Sequence, residues 1–130
     1  MRVLVCGGRD FKDGARLREV MNSMHENLGP ITVLAHGAAN GADTFAATWA
    51  MHKPGIVVEA FPADWKAHGK AAGPIRNQQM LDAINPDLVI AFPGGKGTAH
   101  MVKIAKAQGF KVVQPVVRTD AASWTPSEKK

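Results

Sequence analysis

The stretch Asp87-Leu88-Val89-Ile90-Ala91-Phe92-Pro93-Gly94-Gly95-Lys96-Gly97-Thr98-Ala99 decides the fold. Asp87 to Phe92 reads as a strand, because its unbroken apolar run suits a strand covered on both faces. Pro93 and the glycines end it, and Thr98 to Ala107 follows as a helix. A strand feeding a helix through a glycine turn is half of a βαβ unit, so the next strand, Lys111 to Val117, should lie parallel to the first.

The same alternation extends upstream. Arg2 to Cys6 is a short apolar strand ending in Gly-Gly, and Asp13 to Leu28 is a helix with Leu17, Val20, Met21 and Met24 on one face. Ile31 to Ala35 is the second strand, Ala42 to His52 a helix, and Ile56 to Phe61 the third strand. A polar loop then runs through Gly73-Pro74 to a helix from Ile75 to Ile84, with Met80, Leu81 and Ile84 inward. Five strands separated by helices imply an α/β fold, a Rossmann-like three-layer α/β/α arrangement around a mostly parallel five-stranded sheet. The expected domain spans residues 1–117, and 118–130 reads as a polar, flexible C-terminal tail.

At 130 residues there is room for one core, and no apolar stretch reaches the 18 residues of a membrane span. The single cysteine, Cys6, cannot form an internal disulfide, and a reducing, cytoplasmic setting fits. One cysteine and histidines without ligand spacing give no zinc site. The formal charge of +5 favours an anionic partner. Between Asp64 and Asp82 there is no acid, while Lys66, His68, Lys70 and Arg76 all fall in that window; taken alone, such a run reads first as a solvated face.

Ligands of doubly wound sheets bind beyond the carboxyl ends of the strands, and the unusual residues of this chain cluster in those loops. They are Gly7, Gly8, Arg9 and Asp10 after the first strand, and His36, Gly37, Asn40 and Asp43 after the second. Asp64 and Trp65 follow the third, Arg76 opens the next helix, and Pro93, Gly94, Gly95, Lys96, Gly97 and Thr98 follow the fourth. Glycines let a backbone approach a phosphate closely, and amides at a helix start favour an anion. The competing reading is a tight turn with Thr98 as the helix cap. Arg76 could grip a phosphate through paired donors or be a surface arginine bridged to Asp82 or Asp64. Asp10 could pair with Arg9 or hold a ribose hydroxyl, Asp43 could be merely a helix-start residue, and His36 reads first as a satisfied structural histidine. Trp65 could stack on a base or pack on the core. Thr98 and nearby aspartates could hold Mg2+, although no spacing compels a cofactor.

Arg2-Val3-Leu4-Val5-Cys6-Gly7-Gly8-Arg9-Asp10-Phe11, His36-Gly37-Ala38-Ala39-Asn40-Gly41-Ala42-Asp43, Phe61-Pro62-Ala63-Asp64-Trp65, Ala72-Gly73-Pro74-Ile75-Arg76-Asn77 and Phe92-Pro93-Gly94-Gly95-Lys96-Gly97-Thr98-Ala99 together resemble the YspA-like family of the SLOG superfamily (the SMF/DprA–LOG group). The resemblance implies a Rossmann-like sheet that binds nucleotides or their derivatives through the Pro-Gly-Gly-x-Gly-Thr loop. Related LOG-type enzymes are phosphoribohydrolases with the pattern Pro-Gly-Gly-x-Gly-Thr-x-x-Glu and an upstream arginine, a place similar to that of Arg76. The glutamate position is Met101 here. Methionine can neither transfer a proton nor stabilise an oxocarbenium ion.

Three functions follow in order. The first is a protein binding a small nucleotide or an ADP-ribose-like ligand, in the manner of a sensor of a nucleotide signal. The second is a nucleotide N-glycosidase or phosphoribohydrolase using Arg76 and a replacement acid such as Asp64, with His100, Asp10 and Asp43 as other candidates. The third, ranked well below, is single-stranded DNA binding through Lys66 to Arg76 and Trp65. Exposed apolar helix faces could also support a homodimer. No membrane partner is expected.

Overall fold

A computed structural model describes residues 1–116. Its strands are β1 (Arg2–Cys6), β2 (Val33–His36), β3 (Val57–Ala60), β4 (Leu88–Ala91) and β5 (Val112–Val113). Its helices are α1 (Gly14–Asn27), α2 (Ala42–Met51), α3 (Trp65–His68), α4 (Ala72–Ile84) and α5 (Lys96–Ala107). The strands form one sheet in the order β3-β2-β1-β4-β5, and every pairing is parallel. This is the Rossmann-like α/β architecture the alternation predicts.

Register explains how a strand with apolar residues on both sides is satisfied. Val3 pairs with Leu34 on one side and with Leu88 on the other, while Leu4 pairs with Ala35 and Val89. Successive side chains alternate faces. Val3, Val5, Leu34, Leu88 and Ile90 therefore meet Leu17, Val20 and Met21 of α1 and Ala46, Trp49 and Ala50 of α2. Leu4, Ala35 and Val89 meet Met80, Leu81 and Ile84 of α4 and Met101 and Ala105 of α5 on the opposite face. Both faces are dry, which makes this a three-layer structure.

Element ends show where local signals stop short. Asp13 caps α1, its carboxylate accepting from Arg16 N at 3.0 Å. β2 runs one residue further than expected, through His36. The largest difference lies between β3 and α4. The expected polar loop contains α3, a 3-10 turn over Gly69–Ala71, and the beginning of α4 at Ala72. Gly73 and Pro74 lie inside the first turn of α4 rather than before it, because a proline there gives up an amide that has no helical partner anyway. α5 starts at Lys96 with Gly95 as its cap residue, so Thr98 is not the cap. β5 is two residues long, and the remainder of its expected span up to residue 116 is not strand. Val117 and the expected tail, 118–130, lie outside the described residues. No helix among those described is long and apolar enough to cross a membrane.

Candidate functional site

The chain order of the strands reverses on either side of β1 and β4. β1 leads by its crossover toward β2, and β4 leads away toward β5. A crevice opens between such diverging crossovers at the carboxyl ends of the strands. Here it is a cleft of about 1390 Å³. Gly7, Gly8, Arg9, Asp10, Gly37, Asp43, Arg76 and the whole run Pro93, Gly94, Gly95, Lys96, Gly97 and Thr98 line it, together with Trp65, Lys70, Asn77 and His100.

The β1 and β4 loops touch backbone to backbone. Gly8 N donates to Pro93 O at 2.9 Å. A Cβ on Gly8 would lie 2.9 Å from Gly94 Cα, and one on Gly94 would lie 2.6 Å from Gly8 N. These glycines are required by packing. Gly95 and Gly97 are different: a Cβ on either would meet nothing within 4 Å. The space beside them is open, at the start of α5, where the unpaired amides of the first turn and the helix dipole attract an anion. Lys96 and Thr98 stand on the same turn.

Arg76 reaches across the sheet edge. Its Nη1 donates to Phe61 O at 3.1 Å and to Gly37 O, and its Nε donates to Asn77 Oδ1 at 3.0 Å. It thereby ties the ends of β2 and β3 to α4, and it makes no ion pair with Asp82 or Asp64 among the described residues. Burial lowers its pKa, Asp43 opposing and Arg9 reinforcing that effect. Asn77, which the sequence reading did not single out as a site residue, is buried and links Arg76 to α5. Its Nδ2 donates to Gly97 O at 3.2 Å and lies 3.1 Å from His100 Nδ1. Its position directly after Arg76 in the Ala72–Asn77 block was the available signal.

Asp43 is buried with 5% exposure. Its Oδ2 accepts from Gly37 N at 3.0 Å and Ala39 N at 3.2 Å, while its buried Oδ1 has no hydrogen-bond partner. Burial pushes its pKa up to about 6, against the pull of those amides and of Arg76. Cys6 beside it is pushed up to about 12 by burial and by Asp43, so it stays a thiol and is no nucleophile at neutral pH.

Three expected residues stand apart from the cleft. Asp64 is exposed, and its Oδ1 accepts from Ala67 N at 3.0 Å, capping α3. Asn40 lies in the exposed turn before α2. His36 is buried, its Nδ1 accepting from Ala38 N at 2.9 Å, and burial lowers its pKa. None of the three is among the lining residues. Arg9 does not pair with Asp10; its guanidinium lies 5.8 Å from the centre of the half-exposed Trp65 ring. Met101, at the position of the family glutamate, is fully buried beneath α5 and packs with Leu4, Met80 and Leu81. Among the described residues no group of three His, Cys, Asp or Glu side chains could hold a metal ion.

Comparison with known proteins gives two matches. The model of the YspA, cpYpsA-related SLOG family matches residues 1–68. The chain is also 38% identical over 119 residues to the Gene 61 protein of Mycobacterium phage D29, covering 86% of this chain and 94% of that protein. No solved structure matches significantly. The family match takes in the β1 and β2 loops and ends at α3, before Arg76 and the glycine loop.

Proposed function

Since this chain belongs to the YspA, cpYpsA-related SLOG family, we propose that it binds a nucleotide or nucleotide derivative whose phosphate rests on Pro93–Thr98. The observation that carries this reading is the open space at Gly95 and Gly97, at the start of α5, in a cleft that also gathers Arg9, Lys70, Arg76 and Lys96. Phosphate needs donors and positive charge, and this rim supplies both. Trp65 at the mouth offers a stacking face for a base or for a second sugar-phosphate unit such as that of ADP-ribose. Binding without turnover, the role of a sensor, agrees with Met101 in the core at the glutamate position.

A thermal-shift screen against AMP, GMP, ADP-ribose, NAD and cyclic nucleotides, with and without Mg2+, tests the reading. A ligand at a hundred times its Kd adds about 2.7 kcal/mol and raises the midpoint by several degrees. Gly95→Asp should abolish that shift while leaving the unliganded midpoint nearly unchanged, because its Cβ meets open space. Arg76→Ala should weaken phosphorylated ligands more than free nucleosides. A folded Gly95→Asp protein that still binds would refute the loop assignment.

A second reading, hydrolysis of an N-glycosidic bond, is favoured by one observation: Asp43, not Asp64, is the buried carboxyl in the cleft, with a pKa near 6 suited to proton transfer. Water would add across the bond to release free base and ribose 5-phosphate. Appearance of either product from a ligand found in the screen would establish it.

A further inference from the structure

The buried Asp43 Oδ1 is an acceptor with no donor. Oδ2 is occupied by the Gly37 and Ala39 amides, so the carboxyl is held in place, while Oδ1, itself buried, is left over on a residue that lines the cleft. Buried polar atoms are almost always satisfied, and an exception at a cleft marks a place for a group that arrives from outside.

Chemistry narrows what that group is. An anion is excluded beside a carboxyl. A metal ion would want further carboxylates, and the described residues hold no such cluster. A hydroxyl fits both states of the acid, donating to the carboxylate and accepting from the carboxylic acid. Topology sets the distance. Asp43 follows β2 and the glycine loop follows β4, with β1 between them. Two strand spacings amount to about 10 Å, comparable with a phosphorylated ribose carrying a hydrogen bond at each end.

We infer that Asp43 Oδ1 accepts a hydrogen bond from a ribose hydroxyl of a ligand whose phosphate lies on Gly94–Thr98, so that the cleft selects ribonucleotides over their deoxy forms. The inference rests on the nucleotide reading above. Arg76, anchored through Nε and Nη1, is close enough for its charge to act on Asp43.

The test is the affinity of the wild-type protein for AMP, GMP and ADP-ribose against their 2′-deoxy and 3′-deoxy counterparts, repeated on Asp43→Asn. Hydrogen bonds to charged groups predict a preference on the order of tenfold or more for the ribo form over one deoxy form. Asp43→Asn keeps an oxygen for the two amides and should shrink that preference several-fold. Equal wild-type affinity for ribo and deoxy ligands, which needs no variant to measure, overturns the inference. So does an Asp43→Asn protein that keeps the full preference. In either case binding that Gly95→Asp still abolishes leaves the loop reading standing. Failure of every phosphorylated probe, inorganic phosphate included, overturns both.

Discussion

Burial moves the Asp43 carboxyl from 3.8 up to about 6, and the Gly37 and Ala39 amides and the Arg76 charge only partly offset it. A folded-state value above the unfolded one means that folding favours the protonated acid. The associated stability is complete below about pH 4 and disappears as pH rises through 6, a change of about 3 kcal/mol. His36 works in the opposite sense, because its pKa is lowered and the folded state favours the neutral ring. A raw stability curve therefore mixes the two. Asp43→Asn, which does not titrate, should show in urea unfolding a stability that gains on the wild type between pH 4 and pH 7 by that amount. Parallel curves would mean that Asp43 is ionised at little cost. None of this was legible from residue types. In the sequence Asp43 reads as a helix-start residue and Asp64 as part of a polar loop, and only the packed fold shows that Asp43 is a cleft carboxyl and Asp64 a solvated cap. The glycine turn between β4 and α5, by contrast, was legible, since its glycines adjoin the strand and the helix in the chain.

α4 and α5 pack side by side on one sheet face, and Asn77 bridges them through Gly97 O and His100. The helical period predicts Met80, Leu81 and Ile84 inward, and they are buried. The same geometry fixes the fate of Met101. It lies on the inward stripe of α5 with 0% exposure, three residues beyond Thr98, which faces the cleft. Met101→Glu, the change that restores the related enzymes' pattern, should thus bury a carboxylate among Leu4, Leu81 and Val89, not arm the cleft. We expect a loss of about 3 kcal/mol or more and no gain of hydrolysis, read by chemical unfolding and by assay for ribose 5-phosphate. Restored turnover in a folded variant would show that α5 can rotate its face. The start of α4 was the least legible boundary. Gly73-Pro74 reads as a breaker in sequence, whereas in a first turn it costs the helix nothing.

At the scale of the whole molecule, charge and topology make competing demands. A net charge of +5 draws any polyanion, single-stranded DNA included, but a site confined to one crevice should take few phosphates. Mononucleotide affinity should fall only slightly between 50 and 200 mM salt, with a slope near that of a single-phosphate contact. A slope several times steeper with oligonucleotides, and tighter binding to them, would move nucleic acid to the front. The parallel order of the sheet was legible from the alternation of elements, while the position of β1 at its centre came from pairing across the chain. That position makes the Gly8–Pro93 contact the keystone of the cleft. A cleft wall built from main chain is one that most point mutations cannot rewrite. In a saturation scan, intolerance should gather at Gly7, Gly8 and Gly94, whose side-chain positions are already filled, while Trp65, Lys70 and Arg9 around the rim drift freely under selection for folding alone. On the proposed reading, such a protein could change what it recognises by altering its rim and keep its anchor, so descendants with different ligands would share one inherited grip.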